Sequence, residues 1–127
     1  MVSILLIEDD PAVRLTLSMM LEDDGYVVTS VDNGAEGLAR LLATSFDFMV
    51  TDIWMPKIDG VCVIQQARRL VPNMPILAVT GGGASESGDP VVRAQRMGSD
   101  AVMLKPFKQE DLLLVVKALL QAKTGAG

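Results

Sequence analysis

Short apolar runs alternate with longer segments of helical period, and the alternation repeats five times along the chain. Ile4 to Ile7, Tyr26 to Thr29, Phe46 to Thr51, Ile76 to Thr80 and Ala101 to Leu104 are aliphatic or β-branched runs bounded by turn residues, and they predict strands. The first, third and fourth are apolar at both alternating sets of positions, the pattern of strands buried on both faces of a parallel sheet. The segments between them predict helices. Asp10 and Pro11 form an N-cap and first-turn pair, Val13, Leu17, Met20 and Leu21 share one face, and Gly25 supplies the stop. Asn33 with Glu36 suggests a capping box for Ala35 to Leu42. Asp59-Gly60 opens a third helix through Leu70, Asp89-Pro90 a short fourth ending at Gly98, and a fifth runs from Phe107 to Ala122. In that last helix, at about 100° per residue, Leu113 and Leu114 fall on either side of Lys117, flanking the polar face.

Strand and helix alternation with short connections predicts a doubly wound (βα)5 α/β fold of the flavodoxin-like type, a three-layer sandwich with parallel strand order 2-1-3-4-5. The length, 127 residues, suits a single domain over residues 1–127, and 50% hydrophobic content can build its core without disulfides or metal. Met1 directly before the first strand is expected to be a native start, and the loose Gly-Ala-Gly end either a free terminus or part of a linker. With no stretch apolar enough for a membrane span and no signal-peptide pattern, the expected location is cytoplasmic, with no membrane partner.

Composition then narrows the chemistry. One cysteine excludes a disulfide framework, and the absence of histidine excludes a Ser-His-Asp triad or an imidazole-ligated metal. The net charge of −5 is the wrong sign for direct nucleic-acid binding. Reactive groups must therefore come from carboxylates, lysine, hydroxyls or backbone.

In such a sheet, ligands sit beyond the carboxyl ends of the strands near the switch point. Strand 1 ends in Glu8-Asp9-Asp10, strand 3 in Thr51-Asp52, strand 4 in Thr80 and strand 5 in Lys105-Pro106. Asp10 reads most simply as an N-cap. The remaining acids repel one another, and a hard cation with oxygen ligands relieves that; Mg²⁺ fits because it keeps several waters and needs few carboxylates. A carboxylate beside Mg²⁺ can attack a phosphoryl group while Lys105 and Thr80 neutralise its oxygens. Asp52, on the central strand, is the candidate nucleophile. The glycine-rich stretch from Gly81 to Gly88 lacks the Gly-Lys-Ser/Thr ending of a phosphate-binding P-loop and reads as a flexible loop.

Taken together, Ile4-Leu-Leu-Ile-Glu8-Asp9-Asp10, Thr51-Asp52-Ile-Trp-Met55-Pro56-Lys-Ile-Asp59-Gly60, Leu77-Ala-Val-Thr80 and Leu104-Lys105-Pro106-Phe107 resemble the receiver domain of two-component response regulators over the whole chain. The resemblance implies that Asp52 accepts phosphate from a sensor histidine kinase or histidine phosphotransfer protein. It implies that Asp9, Asp52 and the Trp54 carbonyl bind Mg²⁺ directly and that Glu8 acts through water. Thr80 would hydrogen-bond the phosphoryl group, Lys105 would pair with it, Pro56 and Gly60 would shape the loop after the acceptor, and Pro106 would follow the lysine through a cis bond. The protein would be a phosphoacceptor switch, an enzyme only in catalysing its own phosphorylation and dephosphorylation. Output to an effector protein or domain, or to a homodimer, would pass through the face of the predicted fourth helix, strand 5 and fifth helix.

This chain departs from the usual receiver pattern in three places. Val102 stands where the switch aromatic is usual, Gly81-Gly82 follow Thr80, and Val115 replaces the arginine of the winged-helix subfamily's dimer contact. Two alternatives stay open at this point. A Mg²⁺-dependent aspartyl-phosphate phosphatase or phosphotransferase would usually carry a second acid where Trp54 stands. A receiver-like interaction module that never accepts phosphate would have little need of Glu8, Asp9, Asp52, Thr80 and Lys105 together.

Overall fold

In the computed structural model, which describes residues 1–53, 60–81 and 98–125, each predicted strand forms. β1 (Ser3–Ile7), β2 (Val27–Val31), β3 (Phe48–Asp52), β4 (Ile76–Thr80) and β5 (Ala101–Leu104) make one parallel sheet in the order β2-β1-β3-β4-β5. Helices α1 (Pro11–Glu22), α2 (Gly34–Ala43), α3 (Gly60–Leu70) and a C-terminal helix (Gln109–Gly125) cover it. The predicted fourth helix lies outside the described residues except for Gly98, whose φ of 114° is the left-handed value expected at a helix stop. No helix among the described residues is long and apolar enough to cross a membrane.

Alternation along the central strands divides the core in two. Ile4, Leu6, Phe48, Val50, Leu77 and Val79 face α1 and the C-terminal helix, meeting Leu17, Leu21, Leu112 and Val116. Leu5, Ile7, Met49, Ile76 and Ala78 point the other way, against Leu41 of α2 and Val63, Ile64 and Ala67 of α3. Both sets are buried, which is why these strands read as unbroken apolar runs. The edge strands β2 and β5 bury less and have weaker patterns.

Local signals set the helix starts. The Asp10 carboxylate accepts from the Ala12 and Val13 amides, and the Asn33 side chain accepts from the Glu36 amide. Boundaries shift by one to three residues at several ends: Phe46 is core but precedes β3, and the C-terminal helix starts at Gln109, not Phe107. On that helix Leu114 is exposed as expected, whereas Leu113 packs against the core cluster it was expected to avoid. That cluster includes Leu17 and Leu21 of α1, and Lys117 reaches Asp24, just beyond α1, at 3.4 Å.

Candidate functional site

The register of the sheet decides which side chains meet at its carboxyl edge. Ile7, the last residue of β1, pairs with Thr51, so Glu8 and Asp52 leave neighbouring strands at the same level. Asp52 pairs with Val79, which puts Thr80 one residue further along β4. Thr80 pairs with Leu104, and the Lys105 amide donates to the Thr80 carbonyl at 2.7 Å, carrying the lysine to the same edge. Four strands thus deliver Glu8, Asp9, Asp52, Thr80 and Lys105 to one place.

Glu8, Asp52 and Thr80 are buried there and Asp9 and Lys105 partly so. One carboxylate oxygen from each of Glu8, Asp9 and Asp52 lies within 4.8 Å of the other two. Lys105 Nζ spans the cluster, 2.8 Å from Glu8 Oε1 and 3.0 Å from Asp52 Oδ2. The other Glu8 oxygen accepts from the Asp10 amide at 3.2 Å, while Asp10 itself caps α1. One lysine among three carboxylates leaves the cluster net negative.

The titration of the cluster reflects that excess. Burial raises the Asp9 pKa, and its hydrogen bond to Glu8 and the Glu8 charge raise it further, against a smaller opposing pull from Lys105. For Lys105, burial disfavours the ammonium, but the hydrogen bonds and charges of Glu8 and Asp52 outweigh it and its pKa is raised. A carboxylate held at a cost beside two others offers all-oxygen ligands to a hard dication, so the donor set fits Mg²⁺.

Gly60 explains how α3 can begin directly over this edge. A Cβ there would strike the Asp52 carbonyl oxygen and lie 2.7 Å from Ile53 Cα, and the Gly60 amide donates to the Ile53 carbonyl at 2.9 Å. Only a residue without a side chain lets the helix approach so closely. The Lys105–Pro106 bond is cis, as the resemblance implied. Trp54, Pro56 and the 82–97 segment lie outside the described residues. A hollow of about 510 Å³, lined among others by Arg68, Asp100 and Lys123, lies at the opposite end of β4 and β5 and shares no residue with the acids.

A profile of the response regulator receiver domain matches residues 4–117. The chain belongs to that family. It is 37% identical to Response regulator MprA of Mycolicibacterium vanbaalenii over 129 residues, covering 99% of this chain and 54% of that protein. Identity to Transcriptional regulatory protein ResD of Bacillus subtilis is 33%, over 93% of this chain and 48% of that one. The receiver therefore spans about half the length of the curated relatives it matches. Among solved structures, a CheY-like response regulator receiver domain protein from Methanospirillum hungatei superposes with a TM-score of 0.93 at 31% identity, covering 100% of this chain and 99% of that chain. The receiver also matches NtrX from Brucella abortus with a TM-score of 0.88 at 25% identity, covering 98% of this chain and 28% of that chain.

One contributor escaped the sequence reading. Arg14, on α1, donates from Nη1 to the Glu8 carbonyl at 2.9 Å and, at the limit of a hydrogen bond, to the Asp9 carbonyl at 3.5 Å. Its only trace in the sequence is a cation near a helix N-terminus, where the dipole disfavours it.

Proposed function

We propose that this receiver, residues 1–127 acting as one domain, takes a phosphoryl group onto Asp52 from the phosphohistidine of a sensor kinase or a histidine phosphotransfer protein. An Asp52 carboxylate oxygen attacks phosphorus, the phosphorus–nitrogen bond breaks, and the departing imidazole takes a proton from solvent, leaving an acyl phosphate. The observation that carries the reading is the meeting of Glu8, Asp9 and Asp52 within 4.8 Å under the Lys105 ammonium.

Asp9, Asp52 and the Trp54 carbonyl would hold Mg²⁺ directly and Glu8 through water, and the ion when bound would supply positive charge to the acid cluster and the incoming phosphoryl oxygens. The chain's own groups do the remainder. Lys105, already bonded to Asp52, follows the negative charge as it moves onto the phosphoryl oxygens, and the Thr80 hydroxyl donates to one of them. Hydrolysis of the acyl phosphate by the same site resets the switch. Output passes to an effector or a second copy through β5, the C-terminal helix and the segment before them, where Leu104 and Leu114 are exposed. Receiver family membership favours this reading over the phosphatase alternative.

Incubation with acetyl phosphate tests it. Intact-mass spectra are expected to show one added phosphoryl group in the presence of Mg²⁺, no addition with chelator, and none in Asp52→Ala. Undiminished labelling of that variant would place the acceptor elsewhere.

A further inference from the structure

Asp9 sits in a turn between β1 and α1, and a turn has to be held by something. On one side the Glu8 amide donates to the Val31 carbonyl at 3.1 Å, tying the turn to the end of β2. On the other, the Glu8 carbonyl receives the Arg14 guanidinium at 2.9 Å, with the Asp9 carbonyl at 3.5 Å from the same nitrogen. The backbone of Glu8 is therefore held at both ends, its amide by the end of β2 and its carbonyl, which is part of the Glu8–Asp9 peptide, by a helix side chain. Arg14 is an odd choice on energetic grounds. It lies in the first turns of α1, near the positive end of the helix dipole, and it is partly buried. Its acceptors among the described residues are carbonyls and not a carboxylate, although Asp32 and Glu36 line the same hollow.

We propose that Arg14 is a positioning residue for the acid cluster, holding the Glu8–Asp9 peptide so that both carboxylates converge with Asp52 on one cation. This rests on the reading of the cluster as a Mg²⁺ site. A planar, always charged guanidinium suits the task, because its Nη1 carries two N–H groups in one plane and faces both neighbouring carbonyls. Its charge alone acts the other way. A positive group near the acids repels Mg²⁺, so removing it should strengthen cation binding if charge is all it contributes. Positioning and charge thus predict opposite signs.

Isothermal calorimetry with Mg²⁺ on the full chain reads that sign. Arg14→Ala is expected to bind Mg²⁺ about tenfold more weakly than wild type, the lower end of what partners behind metal ligands usually contribute. Arg14→Lys, which keeps the charge and a donor but not the planar guanidinium, is expected to fall between. Hydrogen exchange of the Asp9 and Asp10 amides should quicken in Arg14→Ala while the central strands stay protected. A folded Arg14→Ala that binds Mg²⁺ as tightly as wild type, or more tightly, overturns the inference and leaves the metal reading standing. Wild-type protein that binds no Mg²⁺ overturns the metal reading, and the inference with it. Should Arg14→Ala not fold, Arg14→Met keeps the length and apolar stem without donor or charge, and the sign of its change in Mg²⁺ affinity decides in the same way.

Discussion

Lys105 is bonded to two buried carboxylates at once, and its removal leaves both without their counter-charge. Lys105→Met is expected to cost about 1–3 kcal/mol at pH 7, below the range for fully buried pairs because the lysine is partly exposed. The wild-type contribution of the lysine also depends on pH. The folded Lys105 pKa is raised above its ordinary 10.5, so its contribution is complete below that value and is lost as pH climbs through the folded pKa. Urea denaturation of both proteins across pH checks both statements. That Glu8, Asp9, Asp52, Thr80 and Lys105 gather at one edge was legible in the sequence, because each stands at or just beyond the end of an apolar run and polar groups stand out there. That one ammonium bridges Glu8 and Asp52 was not, since the bridge depends on how far β5 is staggered against β1 and β3.

At the level of elements, the helices test how closely packing follows pattern. Gly60→Ala is expected to destabilise by about 1–3 kcal/mol, because the new methyl meets Asp52 and Ile53 backbone, which cannot swing aside as a side chain would. Asp52 phosphorylation should slow in the same variant. A variant as stable and as readily phosphorylated as wild type would show that α3 is free to back away. On the C-terminal helix, Leu112 is fully buried and Leu114 is 66% exposed. Leu112→Ala should cost about 2–4 kcal/mol and Leu114→Ala less than about 0.5, measured by chemical denaturation. The wheel of this helix, read alone, treats Leu113 and Leu114 as equivalent flanks of Lys117. The structure separates them: Leu113 packs against the core cluster that α1 and the sheet share, and Leu114 faces solvent.

For the molecule as a whole, the acid cluster exists only when β1 and β3 are paired, so a cation held there stabilises the entire fold. At ten times its dissociation constant, Mg²⁺ is expected to add about 1.4 kcal/mol to wild-type stability, and less to Asp9→Asn. The metal-free variant should itself melt higher than wild type at pH 7. The folded Asp9 pKa is raised above its ordinary 3.8, so the favourable protonated form prevails below that value and the advantage is lost as pH rises through the folded pKa. Replacing the ionised group with a neutral amide removes that cost, and the difference should vanish near pH 3. Thermal melts with and without Mg²⁺ at the two pH values decide it.

The sequence by itself determined the layered α/β fold, the order of elements and which polar groups stand at the carboxyl edge of the sheet. Those features follow from hydrophobic period, turn residues and caps, which act over a few neighbouring positions, and from handedness rules that admit few ways to wind such a chain. Only the tertiary structure decided the Lys105 bridge, the closeness of α3 to Asp52 and the clamp of Arg14 on the Glu8–Asp9 turn. Each of these joins side chains or backbone to a neighbour whose position is set by strand register or helix packing, and the strength of such a contact depends on tenths of an ångström that no local pattern specifies.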